Sequence, residues 1–291
     1  MRSFASYVAF GLWCLLAQPA QADGGPFEVD MALVLAVDIS FSISQDEQDI
    51  QRRGYIAAFL DTQVVAALTL GSRGRVAVTY LEWAGSDTQV QVIPWVVISD
   101  TQSAAAFSKR LEMLETNRSG RTSLSSALDA AVDLFNTGPF VSNRQVVDIS
   151  SDGMNNAGRR VDYARDRLLH RGIVINGLPL MVGSTDGPNH DLDQYFRDCV
   201  IGGLGAFSYP VYSWDAFAET LKQKLIREFV GYRLPRPARL WNAAGTQPQG
   251  DKMDCLTGEK KELDDFKALI GTIPGGAERW KPVEKDWIPK E

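Results

Sequence analysis

Apolar runs alternate along this chain with longer stretches of mixed polarity. MALVLAV (31–37) is apolar at every position, so VDMALVLAV (29–37) predicts a strand buried on both faces. A helix follows from Ser44, where Ser-Gln-Asp-Glu has the spacing of a capping box, and runs to about Leu60. GRVAVTYLEW (74–83) and VQVIPWVVI (90–98) lie a few residues apart and predict an antiparallel hairpin; Pro94 puts the second strand at an edge. Helices at 102–115 and 123–136 precede a strand at 144–150 and a helix at 159–170 that ends near Gly172. A strand at 172–181, a short helix at 191–199, a strand at 205–212 and a helix from Ser213 to about Val230 complete the series. Such alternation with short connections specifies a doubly wound α/β fold. Its sheet is expected to be six-stranded and mostly parallel, with one antiparallel edge strand and helices on both faces.

Both ends depart from this pattern. Arg2, the apolar SYVAFGLWCLLA and the small residues of Ala20-Gln21-Ala22 have the form of a cleaved export signal over 1–22. The apolar part is too short to span a bilayer comfortably, so no transmembrane segment is expected after cleavage. The main domain then covers 23–231. From 232 to 291 the chain turns rich in Pro, Gly and polar residues, with one short helix expected at EKKELDDFKALI (259–270). This stretch has too few apolar residues for its own core and is expected as an arm, laid over the domain or left free of it. Trp241, Trp280 and Trp287 are its candidate anchors.

Charge and cysteine content narrow the function classes. The net charge is −6 and no Lys/Arg block stands out, which disfavours nucleic-acid and anionic-membrane binding. Losing the signal removes Cys14 and leaves Cys199 and Cys255. In an oxidising compartment, periplasmic or extracellular, two cysteines commonly pair; two free buried thiols are the alternative.

Candidate chemistry begins at DISFS (38–42), where the first strand ends. Asp38, Ser40 and Ser42 stand at the carboxyl edge of the sheet, where open α/β sheets bind ligands. Taken alone, the serines also fit helix capping and turn formation. SGRTSLSSALDAA (119–131) puts Thr122 just before a helix, and QVVDISSDG (145–153) brings Asp152 to the same edge. Hard oxygen donors with modest charge suit Mg²⁺ or Mn²⁺.

Asp-x-Ser-x-Ser followed by a distant Thr and a distant Asp resembles the metal-ion-dependent adhesion site of the von Willebrand factor A domain. The order of strands and helices over 29–231 agrees with that family. VTYLEWAG (78–85), DISSDGMNN (148–156), INGLPLM (175–181) and DCVIGGLGAF (198–207) are similar to an exported bacterial subgroup of undefined function. The resemblance implies that Ser40 and Ser42 touch the metal, that Thr122 does so in the ligand-bound state, and that Asp38 and Asp152 act largely through water. It also implies a protein partner presenting a carboxylate, with Glu82, Arg118, Arg121 and Asn155 as candidate rim residues. Asn155 and Asn156 are expected to hold the Asp152 loop through backbone hydrogen bonds.

Other functions remain open on the residues alone. A serine hydrolase needs a base for Ser40 or Ser42, yet only His170 and His190 exist and no Gly-x-Ser-x-Gly elbow occurs. A metal-assisted phosphohydrolase would want an acid where Ser40 stands, and GGLGAF (202–207) precedes a strand instead of following one. A structural module with a vestigial metal site is the non-enzymatic alternative. Inside the domain, Asp148 lies four residues before Asp152 in a strand flanked by apolar residues, so its buried carboxylate needs a partner. Asn176, in the neighbouring strand, is the first candidate.

The signal makes one direct prediction. Protein recovered from outside the cytoplasm should have Asp23 as its first residue, as read by intact mass or N-terminal analysis. Exported chain still carrying Met1 or Trp13 would contradict it.

Overall fold

The computed structural model describes residues 26–182, 191–231 and 252–271. The 1–22 signal, Trp241, Trp280, Trp287 and His190 lie outside the described residues. In chain order the strands are β1 (Phe27–Val29), β2 (Met31–Asp38), β3 (Val76–Trp83), β4 (Gln89–Ile98), β5 (Phe140–Ser142), β6 (Gln145–Ser151) and β7 (Val174–Pro179). The helices on the sheet are α1 (Gln45–Leu60), α2 (Thr62–Leu68), α3 (Thr101–Glu112), α4 (Leu124–Thr137), α5 (Val161–Leu169), α6 (Leu192–Tyr195) and α7 (Trp214–Val230); α8 (Thr257–Gly271) belongs to the arm. α6 continues as a wider π turn through Val200.

The main sheet runs β4-β3-β2-β6-β7, parallel except for the antiparallel edge strand β4. β2 and β3 are buried at every position, as unbroken apolar runs require. Leu33, Leu35 and Val37 face a core with α1, α2, α3 and α7. Ala32, Val34 and Ala36 face a second core with α4, α5 and α6. Ser44 and Glu47 form the expected capping box at the start of α1. Among the described residues no helix is long and apolar enough to cross a membrane.

The expected sixth strand lies beside β7 but pairs only through the separate bridges Gly177–Ser208 and Leu180–Val211. Gly177 donates to Phe207 O and Met181 to Val211 O, and between them the ladder would need an N–H from Pro179. Proline has none, so the pairing is interrupted there. α2 and the small parallel pair β1–β5 were not legible in the pattern. α2 arises because Asp61 turns the chain to extended geometry after α1 and accepts from the amides of Gln63 and Val64.

Asp148 is fully buried, as expected, but its partner comes from a helix. Lys224 of α7, itself fully buried, places Nζ 2.5 Å from Asp148 Oδ1. Asn176 sits in register beside Asp148 on β7, yet its amide donates to Glu228 Oε2 at 2.5 Å and accepts from the Phe207 amide. Glu228 in turn pairs with Arg144 at 2.7 Å. A carboxylate in a dry interior needs a compensating charge, which an asparagine lacks and a long lysine stem can deliver.

The arm is fixed covalently: Cys199, in the π turn after α6, is bonded to Cys255, 56 residues on. In the chain-entropy account, closing a loop of that length stabilises the fold by about 4 kcal/mol. Met253 and Cys255 pack against the second core, and the Met253 amide donates to Asp198.

The interior ion pair carries a stability prediction. Lys224→Met leaves Asp148 buried without its counter-charge and should cost about 3–5 kcal/mol. The double variant Lys224→Met/Asp148→Leu should recover much of that loss. Urea unfolding of the three proteins checks both, and a Lys224→Met midpoint equal to wild type would contradict the assignment.

Candidate metal centre

Four loops meet at the carboxyl edge: those leaving β2, β3 and β6 and the one entering α4. They are stitched by backbone. The Ser119 amide donates to Ile39 O, Ser123 to Ala84 O at 2.7 Å, and Asn156 to Thr122 O at 2.8 Å. The Asn156 side chain returns the contact, accepting from the Thr122 amide at 2.8 Å. Arg121, immediately before Thr122, has φ 62°, the left-handed region that favours glycine.

The loops bring Asp38, Ser40, Ser42 and Asp152 into one hydrogen-bonded line. Asp38 Oδ1 accepts from the Ser40 amide at 2.7 Å. The Ser40 and Ser42 hydroxyls are 2.9 Å apart, and Ser42 donates to Asp152 Oδ1 at 2.7 Å, so Ser40 donates to Ser42. Thr122 lies alongside: a Cβ built on Gly153 would sit 3.5 Å from Thr122 Oγ1. Asp38 and Ser40 are buried, Asp152 is half-buried and Ser42 is exposed, so the line runs from the sheet to the surface.

The electrostatics fit a cation. Burial pushes the Asp38 carboxyl up to about 7, and the Asp152 charge adds to the shift. Burial pushes Asp152 up as well, against the Ser42 hydrogen bond that favours its ionised form. Two raised carboxyls side by side form a setting whose ionised form a divalent ion would favour. Among the described residues no three His, Cys, Asp or Glu side chains gather around a point. The donor set is therefore hydroxyls with two carboxylates, hard oxygens suited to Mg²⁺ or Mn²⁺.

The candidate rim residues divide. Arg118 is exposed, donates to Phe41 O at 2.6 Å and lies over the Phe41 ring at 5.6 Å. Arg121 is exposed and pairs with Glu262 of the arm at 3.4 Å. Glu82 and Asn155 are not rim groups. Glu82 is 3% exposed because its β3 side chain turns under α1, where Arg52 stands 3.8 Å away. There it lines a cavity of about 10 Å³ with Asp38, Gln48 and Gln51. Asn155 is fully buried, with Oδ1 accepting from the Ser125 amide and Nδ2 donating to Arg159 O and Glu259. The sequence reading missed Ser151, whose hydroxyl donates to Asp38 Oδ2 at 2.5 Å. Its place at the end of β6, between strand and loop, was the available signal.

These shifts give stability a definite sign with pH. A carboxyl raised in the fold holds a proton that the unfolded chain releases at lower pH, so folded stability is lost as pH rises between the two values. For Asp38 that interval runs from 3.8 to about 7. In chelator, the melting temperature should therefore fall between pH 5 and pH 7.5, and added Mg²⁺ should restore part of it at the higher pH. Thermal scans at the two pH values test this; a higher melting temperature at pH 7.5 in chelator would contradict it.

Comparison with known proteins agrees with this architecture. Among solved structures, proximal thread matrix protein 1 from the mussel byssus is 17% identical with a TM-score of 0.50, over 72% of this chain and 47% of that one. A von Willebrand factor type A protein from Catenulispora acidiphila is 15% identical with a TM-score of 0.50, over 70% and 43%. The pilus adhesin SpaC from Lactobacillus rhamnosus GG is 12% identical with a TM-score of 0.50, over 70% and 32%. The chain spans less than half the length of each, and at these identities the likeness is one of fold. No curated protein matches. A family model described as "Protein of unknown function (DUF1194)" matches residues 28–233, so the chain belongs to that family, and its fold is that of a von Willebrand factor A domain.

Proposed function

We propose that this chain is an exported protein-binding module of the adhesion type that works through a divalent metal. The observation that carries the reading is the hydrogen-bonded line Asp38–Ser40–Ser42–Asp152, with Thr122 beside it, at the open edge of the sheet. Ser40 and Ser42 would hold Mg²⁺ or Mn²⁺ directly, joined by Thr122 when a ligand engages, while Asp38 and Asp152 act through water. Bound there, the ion supplies a Lewis-acidic centre for a carboxylate of a partner protein. Neutral hydroxyls quench little of the ion's charge, and outer carboxylates retain it without saturating it. Arg118, placed over Phe41 at the rim, adds positive charge where an acidic partner would approach.

Two further points support binding at an exported site. The Cys199–Cys255 bond suits an oxidising compartment, periplasmic or extracellular. His170 stands at the C-terminus of α5, which runs back to the amino edge of the sheet before β7, opposite Ser40 and Ser42. A Ser–His pair with that residue is therefore out of reach. Among the solved structures of similar fold, SpaC is a pilus adhesin, which favours the same class of function.

Calorimetric titration tests the reading. Asp38→Ala should abolish Mg²⁺ and Mn²⁺ binding with an unchanged circular dichroism spectrum. Thr122→Ala should weaken metal binding modestly. In the presence of metal, it should strongly reduce capture of the partner that wild-type protein retains from native extract with Mg²⁺ but not with chelator. Unchanged metal binding in Asp38→Ala would show that DISFS is only a strand end and a helix cap.

A further inference from the structure

We propose that the C-terminal arm is part of the site: Glu259 is a positioning residue that fixes the Thr122 loop through Asn155, and the Cys199–Cys255 bond holds it there. The inference rests on the reading above that gives Thr122 a place at the metal. Glu259 comes from a segment more than a hundred residues away in sequence, yet it is 7% exposed and its Oε1 accepts from Asn155 Nδ2 at 2.7 Å. Asn155 uses its other amide atom, Oδ1, to accept from the Ser125 amide in the first turn of α4. The next residue, Asn156, exchanges two hydrogen bonds with Thr122. Asn155 Nδ2 also donates to Arg159 O at 3.1 Å, so its amide is held at three points. Glu259 supplies the shortest of them, a side-chain carboxylate acting on the asparagine pair that carries the Thr122 loop.

Two further contacts lie on the same path. A Cβ placed on Gly258 would meet Asn155 O at 2.0 Å, so the start of α8 presses directly on the asparagine backbone. Glu262, one turn further along, pairs with Arg121, the left-handed residue that precedes Thr122. The arm thus touches both loops that carry Thr122 and Asp152. Just before α8, Cys255 closes the bond to Cys199 and packs against the second core, and the buried Tyr195 donates its hydroxyl to Cys255 O at 3.5 Å.

Amide hydrogen exchange on the metal-free mature protein tests the inference without any ligand. Glu259→Ala should speed exchange at the Thr122, Ser125 and Asn156 amides by about tenfold, as loss of one buried hydrogen bond eases local opening. Amides in β2 should not change. Glu259→Gln keeps an oxygen acceptor for Asn155, and burial already pushes the Glu259 carboxyl up toward its neutral form, so this variant should match wild type. Cys255→Ser, which keeps Glu259 and removes the tether, should speed exchange at the same three amides. Mn²⁺ titration adds a functional readout: Glu259→Ala and Thr122→Ala should weaken binding alike, and the double variant no further than either. Unchanged exchange in both Glu259→Ala and Cys255→Ser, or additive losses in the double variant, would overturn the proposal. If wild-type protein bound no Mn²⁺, the proposed function would fail, and the exchange result would still decide the role of the arm.

Discussion

A parallel sheet covered by helices on both faces leaves polar side chains two places: its ends, or an interior position with a matching partner. β2, β3 and β6 obey this constraint almost residue by residue. Their middles are apolar apart from Thr79, whose hydroxyl donates to Ile93 O, and Asp148, which is answered by Lys224 from α7. At the carboxyl edge, Asp38 at the end of β2 and Asp152 just after β6 stand with Ser40, Ser42, Ser151 and Thr122 around them. The same burial that stabilises the fold thus collects hydroxyls and carboxylates at one rim. It also raises the carboxyls there, because the rim is still poorly solvated.

The interior pair and the rim pair solve one electrostatic problem in opposite ways. Lys224 belongs to the chain, so Asp148 is compensated whenever the protein is folded. Asp38 feels the charge of Asp152, and burial raises both carboxyls, so each holds its proton more readily than in water. Protons, or a cation drawn from solvent, can relieve that repulsion. A centre of this kind responds to its surroundings, whereas the Asp148 pair is part of the framework. Replacing Lys224 is accordingly a question of stability, and replacing Asp38 a question of binding.

Local pattern carried most of this into the sequence. Unbroken apolar runs marked β2 and β6, the capping box marked α1, and Pro94 marked the edge strand. The gathering of DISFS, Thr122 and Asp152 was legible because all three lie at element ends, which turn and cap signals mark. What was not legible depends on contacts distant in sequence. Pro179 breaks the last ladder only because of what lies opposite it. Glu82 looked like a strand-end acid, but α1 and Arg52 cover it. Asn155 looked like a loop residue, and its burial comes from α4 on one side and the arm on the other.

The arm shows why a covalent bond and a few polar contacts belong together. Along α8 the buried positions are Gly258 and Glu259, at the start of the helix. Its pair with Arg121 is partly solvated, and such pairs contribute at most about 1 kcal/mol. A segment resting on these contacts alone would leave the surface readily. The Cys199–Cys255 bond removes most of the entropy that leaving would gain, and it lies a few residues before Gly258 and Glu259. Those residues are then held against Asn155 at high effective concentration, and a single buried hydrogen bond suffices to keep them in register. The disulfide therefore acts at the start of α8, next to the loop pair that carries Asn155 and Thr122.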